Sequence, residues 1–419
     1  MKKIWRERLN GPVATIATLI FWLLLAGCVG AVCGVVGGAF HLVLDRAGLL
    51  RENNPWLLYL LPVAGLVIVW AYRVSGMEND SGTNQIIASV RGESRPPFRL
   101  GVLIFVGTAL THLTGGSAGR EGAALQIGGS VAATVGKWLR LNSRNQTIIV
   151  QCGMAGLFSA LFGTPLAAAV FCMEVVSVGI IHYSAMFPCL MSACVATAVT
   201  RAMGIRPEGY ELLGRPGIGW TSMGQVAALA ILCALLSIVF CVVMHQSAHL
   251  YKKLLPNQYV RVVVGGVIII ALTLLLGTRD YNGAGSHIIE EAVSGQAVPW
   301  AFAVKLVFTA LTLGAGYRGG EIVPTFFVGS TFGCVVAPLL GLDPAFGAAI
   351  GMIALFCGVV NCPLASILLS VELFGSDGIL FFAMACTLSF LISGKFSLYS
   401  SQKIVYSKLE PKFINENAK

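Results

Sequence analysis

The chain has 419 residues, of which 56% are hydrophobic and 11% charged, and its mean hydropathy is +0.80. Soluble domains carry about 25% charged residues, so this composition excludes an ordinary soluble domain and indicates an all-α polytopic membrane protein. The net charge of +9 does not call for a nucleic-acid partner: Lys2, Lys3, Arg6 and Arg8 precede the first apolar run and Lys403, Lys408, Lys412 and Lys419 follow the last, where basic residues mark the cytoplasmic side of an acidic lipid bilayer.

Residues 1–11 read as a cytoplasmic N-terminus. The apolar run at 12–44 is too long for a signal-peptide core and lacks a clean cleavage site, so it reads as a retained, tilted helix. A run at 56–73 follows, then "DSGTNQII" (Asp80–Ile87), a polar, glycine-containing helix start. After a run at 98–113, "GGSAGREGAALQIGG" (Gly115–Gly129) places Arg120 and Glu121 side by side in apolar surroundings. Runs at 123–138, 147–162, 165–182 and 185–203 complete a first membrane repeat, 12–203. A polar Gly/Pro linker spans 204–221. The second membrane repeat, 222–400, holds runs at 222–250, 258–277, 298–315, 323–341, 346–360, 363–374 and 378–393. Residues 401–419 read as a cytoplasmic tail, with no regulatory domain expected. Several runs are too short to cross a bilayer, and Pro165, Pro324 and Pro363 interrupt or open others. Broken helices at membrane depth are tolerated where they line a protein-enclosed cavity.

The repeat is visible in the residues themselves. "GMAGLFSALFGTPLAAAVFCME" (Gly153–Glu174) and "GMIALFCGVVNCPLASILLSVE" (Gly351–Glu372) share eight of 22 positions without a gap, 198 residues apart. Gly119, Glu121, Gly129 and Ser130 match Gly319, Glu321, Gly329 and Ser330, 200 residues apart. Two matches in one order at nearly one offset indicate duplication. Similarity alone does not show whether the halves are inverted.

Ionisable residues at membrane depth are costly and point to function by default. Glu174 and Glu372 sit at equivalent ends of repeated helices, which suggests bonding to backbone at a helix end or a cytoplasmic position. Arg318 is expected to pair with Glu321, and Lys305 to reach toward an interface. Glu121 is different, because glycines flank it and a helix begins just after it. A helix start presents free N–H groups and partial positive charge, which attract an anion. "GGEIVP" (Gly319–Pro324) has the same form. Three such starts pointing inward would build an anion site from backbone dipoles. The 12 cysteines form no CxxC pair, and the six histidines form no HExxH. His245 and His249 lack a third ligand in view. No metal, cofactor or intramembrane enzyme activity is expected.

"GREG" (Gly119–Gly122), "GGEIVP" and "SLYSSQ" (Ser397–Gln402) together resemble the CLC family of anion channels and anion/proton antiporters, over essentially the whole chain. The resemblance implies an inverted repeat with many tilted and broken helices, assembled as a homodimer. It makes Glu121 the gating and proton-coupling residue. It assigns the central anion to the amides of Glu321 and Ile322 and to the Tyr399 hydroxyl. Ser81, Gly82, Thr83 and Asn84, with Gly119, Arg120 and Gly122, complete the expected anion-binding region; Arg120 reads as a structural partner rather than a ligand. Either Ser81 or Thr83 takes the anion-facing position.

Three departures resemble the fluoride-transporting branch. The first helix start reads "SGTNQI" without a proline, Ala123 follows GREG, and Val175 stands where chloride/proton exchangers carry an internal glutamate. Fluoride is small and strongly hydrated, so Ser81, Thr83, Asn84 and Tyr399 are plausible donors. The sequence therefore favours a fluoride/proton antiporter in the inner cell membrane; a chloride channel or chloride/proton exchanger is the alternative.

Overall fold

A computed structural model describes residues 12–419. The N-terminal segment, with Lys2, Lys3, Arg6 and Arg8, lies outside the described residues. Sixteen α-helices fall into two sets of eight. The first set is α1 (Pro12–Asn53), α2 (Leu61–Val74), α3 (Thr83–Val90), α4 (Phe98–Leu113), α5 (Glu121–Trp138), α6 (Ser143–Phe162), α7 (Pro165–Glu174) and α8 (Met186–Ala202). The second is α9 (Trp220–Leu254), α10 (Gln258–Leu276), α11 (Ser286–Val293), α12 (Ala301–Ala315), α13 (Ile322–Val336), α14 (Pro344–Val360), α15 (Pro363–Phe374) and α16 (Ile379–Ile392). Each set opens on a long helix, and each contains one eight-residue helix in third place. Seven helical stretches among the described residues are long and apolar enough to cross a membrane.

The duplication extends to the devices that start and stop helices. Asn142 caps α6 by accepting from Asn145 N, and Asp343 caps α14 by accepting from Ala345 N and Phe346 N. The turn after α6 uses Gly163 and the turn after α14 uses Asn361, both at positive φ, and a proline then opens the next helix.

The two halves meet reciprocally. Glu174, at the end of α7, accepts from Leu364 N (3.2 Å) and Ala365 N (2.9 Å) in the first turn of α15. Glu372, near the end of α15, accepts from Leu166 N (2.9 Å) and Ala167 N (2.8 Å) in the first turn of α7. Each helix therefore presents its C-terminal end to its counterpart's N-terminus, and the two run antiparallel. Equivalent helices that run antiparallel require a pseudo-twofold axis across them, which makes the repeat inverted. Helix-end bonding is the role both glutamates have here.

The same geometry places the connections. The linker docks on the turn between α6 and α7, with Glu208 N donating to Phe162 O, and on the end of α15, with Tyr210 N donating to Leu373 O. The C-terminal tail docks on the opposite end, with Leu398 N donating to Val359 O and Lys403 N to Val176 O. There the tail forms β2 (Lys403–Tyr406) and β3 (Phe413–Asn417), and β1 (Ser177–Val178) completes a three-stranded sheet. β1 pairs parallel with β2, and β2 antiparallel with β3.

The centre is built from α5, α6, α13 and α14, which are buried on nearly every side. Their glycines make this packing attainable. A Cβ on Gly128 would strike the Gly153 carbonyl, and one on Gly329 would strike that of Gly351; small residues let membrane helices approach this closely. Outward faces of α1, α2, α9 and α10 expose residues such as Leu24, Trp70, Leu235 and Leu275.

Three readings need correction. The run at 165–182 is helical only to Glu174; beyond it the chain turns into β1, held by Gln402 Nε2 on Val175 O (3.0 Å). Helix α11 was not anticipated, being short, amphipathic and set among turns. Lys305 does not reach an interface: it is fully buried and donates to Tyr281 O (3.2 Å) and Gly283 O (2.7 Å).

Replacing Glu174 or Glu372 by alanine leaves two first-turn amides without their acceptor. Each change is expected to destabilise the protein by about 1–3 kcal/mol, read as a lower Tm in detergent. An altered proton-to-anion ratio in either variant would instead place that glutamate on a proton route.

Candidate functional site

The loops before α5 and α13 meet in the interior. Gly119 and Gly320 pair as an antiparallel bridge, with Gly119 N on Gly320 O at 2.7 Å and Gly320 N on Gly119 O at 2.8 Å. This fixes the two helix starts side by side. Their first amides have no intrahelical acceptor, and the helix dipoles add positive potential at the same place.

A cavity of about 390 Å³ opens on the tail side of the bridge. The start of α3 lines it through Ser81, Gly82, Thr83 and Asn84, with Gly82 at φ +63° where the chain turns into the helix. Gln126, Gly319, Glu321 and Tyr399 add to its polar wall, and Asp80, His245, Lys252, Tyr317, Arg318 and Ser400 line it as well. Three buried atoms there have no hydrogen-bond partner: Gln126 Oε1, Glu321 Oε2 and Tyr399 Oη. Tyr399 is 1% exposed, and Tyr399 N donates to Ser397 Oγ (3.2 Å), so its hydroxyl is held in place by the docked tail. The buried Tyr399 hydroxyl, the start of α3 and the Lys252 and Arg318 side chains put hydrogen-bond donors and positive charge around one polar cavity. Such a lining attracts a small anion.

A second cavity of about 400 Å³ lies on the linker side, lined by Asp45, Arg51, Glu52, His112, Arg120 and Ser286 among others. Glu121, the first residue of α5, is wholly buried and lines neither cavity; Arg120 before it lines the second, and Gly122 after it packs against Glu321 of the first. Its carboxylate accepts from Arg120 N (3.1 Å) and Arg120 Nε (3.3 Å). The Arg120 guanidinium also pairs with Glu208 and with Asp45 (3.8 Å), and Nη1 contacts His41 Nδ1 at 2.8 Å. His41 Nε2 in turn lies 3.0 Å from Asp45 Oδ2. Arg120 is therefore turned to the linker side and fully engaged by side chains. It does not line the tail-side cavity.

The other expected residues divide as follows. Gly119 makes the bridge, and Ile322 is buried at the start of α13. Thr83 Oγ1 donates to Gly122 O (3.4 Å) and accepts from Gln126 Nε2 (3.3 Å), so this hydroxyl joins α3 to α5. Asn84 Oδ1 accepts from Ser401 N (2.8 Å), which ties α3 to the tail. Ser81 is exposed at the cavity mouth. Val175 is buried with its carbonyl bound to Gln402, and it brings no carboxylate. Arg318 does not pair with Glu321: its Nη1 donates to Asp80 Oδ2 at 3.0 Å. That leaves the Glu321 carboxylate facing Gly122, so both its side chain and its backbone belong to the site.

Sequence reasoning missed Gln126, Glu208, His41 and Asp45. Gln126 had a signal, being a buried polar residue one turn after Gly122 on an apolar helix. Glu208 had none, because only the folded linker brings it to Arg120. No group of three His, Cys, Asp or Glu side chains suited to a metal occurs among the described residues.

With this geometry in view, comparison with known proteins is informative. Residues 64–394 match the family model described as voltage gated chloride channel. A "Chloride/fluoride channel protein" of Pseudomonas syringae pv. tomato is 37% identical over 396 residues, covering 92% of this chain and 87% of that one. The "H(+)/Cl(-) exchange transporter ClcA" of Vibrio vulnificus (strain YJ016) is 24% identical, over 88% of this chain and 86% of its own. Among solved structures, a "CLC-type fluoride/proton antiporter" superposes with a TM-score of 0.88 at 30% identity, covering 92% of this chain and 98% of that one.

Gly122 tests the tightness of the site. A Cβ there would lie 3.0 Å from Glu321 Oε2 and 3.0 Å from Gly320 Cα. Overpacking of this kind costs about 1–3 kcal/mol, so Gly122→Ala is expected to slow anion flux by roughly tenfold. Flux assays on protein that elutes normally in size-exclusion chromatography measure this.

Proposed function

The chain belongs to the voltage gated chloride channel family, the CLC family, and we propose that this member exports fluoride in exchange for protons, with Glu121 as the protonatable gate. The observation that carries the reading is the position of Glu121: a buried carboxylate between two cavities, at paired helix starts that attract anions. As an anion the carboxylate competes for those helix ends; as a neutral acid it vacates them. One group thereby links proton binding to anion passage. Helix ends favour the charged form and desolvation the neutral one, and that opposition suits a group that must exchange its proton.

Fluoride is favoured over chloride by three features. Val175 supplies no internal proton acceptor beside the α7 end. The Tyr399 hydroxyl is buried without a partner, as a strong hydrogen-bond acceptor requires. The relatives whose names include fluoride are also the more similar ones at 37% and 30% identity, against 24% for the chloride exchanger. Glu321 is a second carboxylate, on the tail side of the bridge, and we assign it a share in proton handling. The basic residues flanking the tail and the N-terminal segment support a cytoplasmic tail side. Family resemblance further points to a homodimer in the inner cell membrane with one route per subunit.

Purified protein in liposomes tests the proposal, with fluoride and chloride efflux followed under a proton gradient. Wild type is expected to move fluoride faster than chloride and to drive protons with it. Glu121→Gln is expected to abolish proton movement, and Glu321→Gln to change the proton-to-fluoride ratio. Equal fluoride and chloride fluxes would overturn the selectivity. Fluoride flux that cannot drive protons would make the protein a channel.

A further inference from the structure

Two histidines lie one turn apart on α9, and they are not equivalent. His249 is exposed. His245 is half-buried and lines the inner tail-side cavity together with Glu321 and Tyr399. Ala248 and Lys252 continue the same stripe of α9 outward. They line both this cavity and an outer one of about 540 Å³, which His245 does not line. His245 therefore stands inward of the cavity mouth, on the side of Glu321.

The tail orients the imidazole. His245 Nε2 lies 3.3 Å from Leu398 O, the carbonyl just before Tyr399. A carbonyl oxygen only accepts, so Nε2 carries the hydrogen and Nδ1 keeps its lone pair. No hydrogen bond to Nδ1 occurs among the described residues. A proton can be added at that nitrogen without breaking a bond.

Most other ionisable groups of this cavity are committed. Asp80 Oδ1 accepts from Gly82 N (3.1 Å) and Asp80 Oδ2 from Arg318 Nη1 (3.0 Å). The Tyr317 hydroxyl is engaged by Leu61 O and Val262 O. Lys252 and Arg318 are donors with no acceptor atom. Glu321 Oε2 and the Tyr399 hydroxyl are buried there without partners. The charges around the imidazole oppose one another, Asp80 and Glu321 against Lys252 and Arg318, so an imidazolium meets no net like charge.

We infer that His245 is the tail-side proton relay: its Nδ1 takes the proton from the neutral Glu321 acid and hands it to the tail-side solution. The inference rests on the reading of the chain as a fluoride/proton antiporter. In the first step the O–H bond of Glu321 breaks and an N–H bond forms at Nδ1, directly or through water, leaving a carboxylate and an imidazolium. In the second the imidazolium gives that proton to water and the imidazole is restored. Nε2 stays on Leu398 O throughout, so Tyr399 keeps its place. Histidine suits the task because its proton exchanges between about pH 5 and 8. A relay on α9 also answers the apolar Val175, since the proton leaves through the cavity and not past the α7 end.

His245→Gln keeps an N–H donor near the Nε2 position and removes the titratable nitrogen. In oriented liposomes at a fixed proton gradient, it is expected to slow proton-coupled fluoride flux by about 100-fold, with the half-saturating fluoride concentration unchanged. Wild-type flux is expected to fall as tail-side pH drops through the histidine range, because an imidazolium cannot accept. That step should vanish in His245→Gln. His245→Glu restores a group that takes and gives a proton, so coupled flux should return with its step at lower pH; this variant decides the matter alone if the glutamine variant does not elute as wild type in size-exclusion chromatography. A His245→Gln rate within twofold of wild type, or an unmoved pH step in His245→Glu, would overturn the relay and leave antiport standing wherever the wild type drives protons. A raised half-saturating fluoride concentration with the pH step intact would make His245 a holder of the tail only. Wild type that moves fluoride without protons would overturn the antiport reading and the relay with it.

Discussion

Everything in this molecule follows from helices that end inside the protein at membrane depth. A helix start carries amides without acceptors, and a bilayer offers none. The fold answers this in two ways. At α7 and α15 the need is met permanently, because Glu372 and Glu174 each place a carboxylate on the other half's first turn. At α3, α5 and α13 the starts converge on cavities, with Glu121 between them. The same physical demand makes one set of helix ends structural and leaves the other free for the exchangeable anion of the proposed function.

Inversion makes both answers available from one folding unit. It turns each half's α7-type helix toward its counterpart's N-terminus, and it joins Gly119 to Gly320. It also places the linker and the tail at opposite ends of the α6–α7 and α14–α15 hairpins, where each reaches inward. The tail delivers Tyr399 to the cavity on its side of the bridge, and the linker delivers Glu208 to Arg120. These two arrivals break the symmetry. One side ends in a neutral hydroxyl; the other ends in a charged cluster that holds the arginine next to Glu121.

What was legible in the sequence were features with a local physical cause. Apolar run length gave the helices, and internal similarity gave the repeat. Glycines flanking Glu121 and Glu321 marked helix starts near charge. Less legible were features that depend on distant segments meeting. Arg318 stood three residues from Glu321, yet the fold paired it with Asp80. Lys305 had the stem to reach an interface, but carbonyls of the loop before α11 hold it inside. Glu208 gave no signal in a polar linker. The end of α7 was misplaced because Val175–Val178 continues the apolar composition, whereas its β-branched residues serve the sheet with the tail.

The locked hairpin carries one more consequence. In the proposed mechanism a proton needs a chain of titratable groups across the protein. At the α7 end, Val175 has no titratable atom and Glu174 is bound to two backbone amides. That flank is therefore fixed in the role of scaffold. The carboxylates left near the bridge are Glu121 on one side and Glu321 on the other, and the proposal puts both on the anion's route. Proton and anion then compete for a common corridor instead of using separate ones. Competition for one space, with a carboxylate that leaves when neutral, is sufficient to couple the two movements.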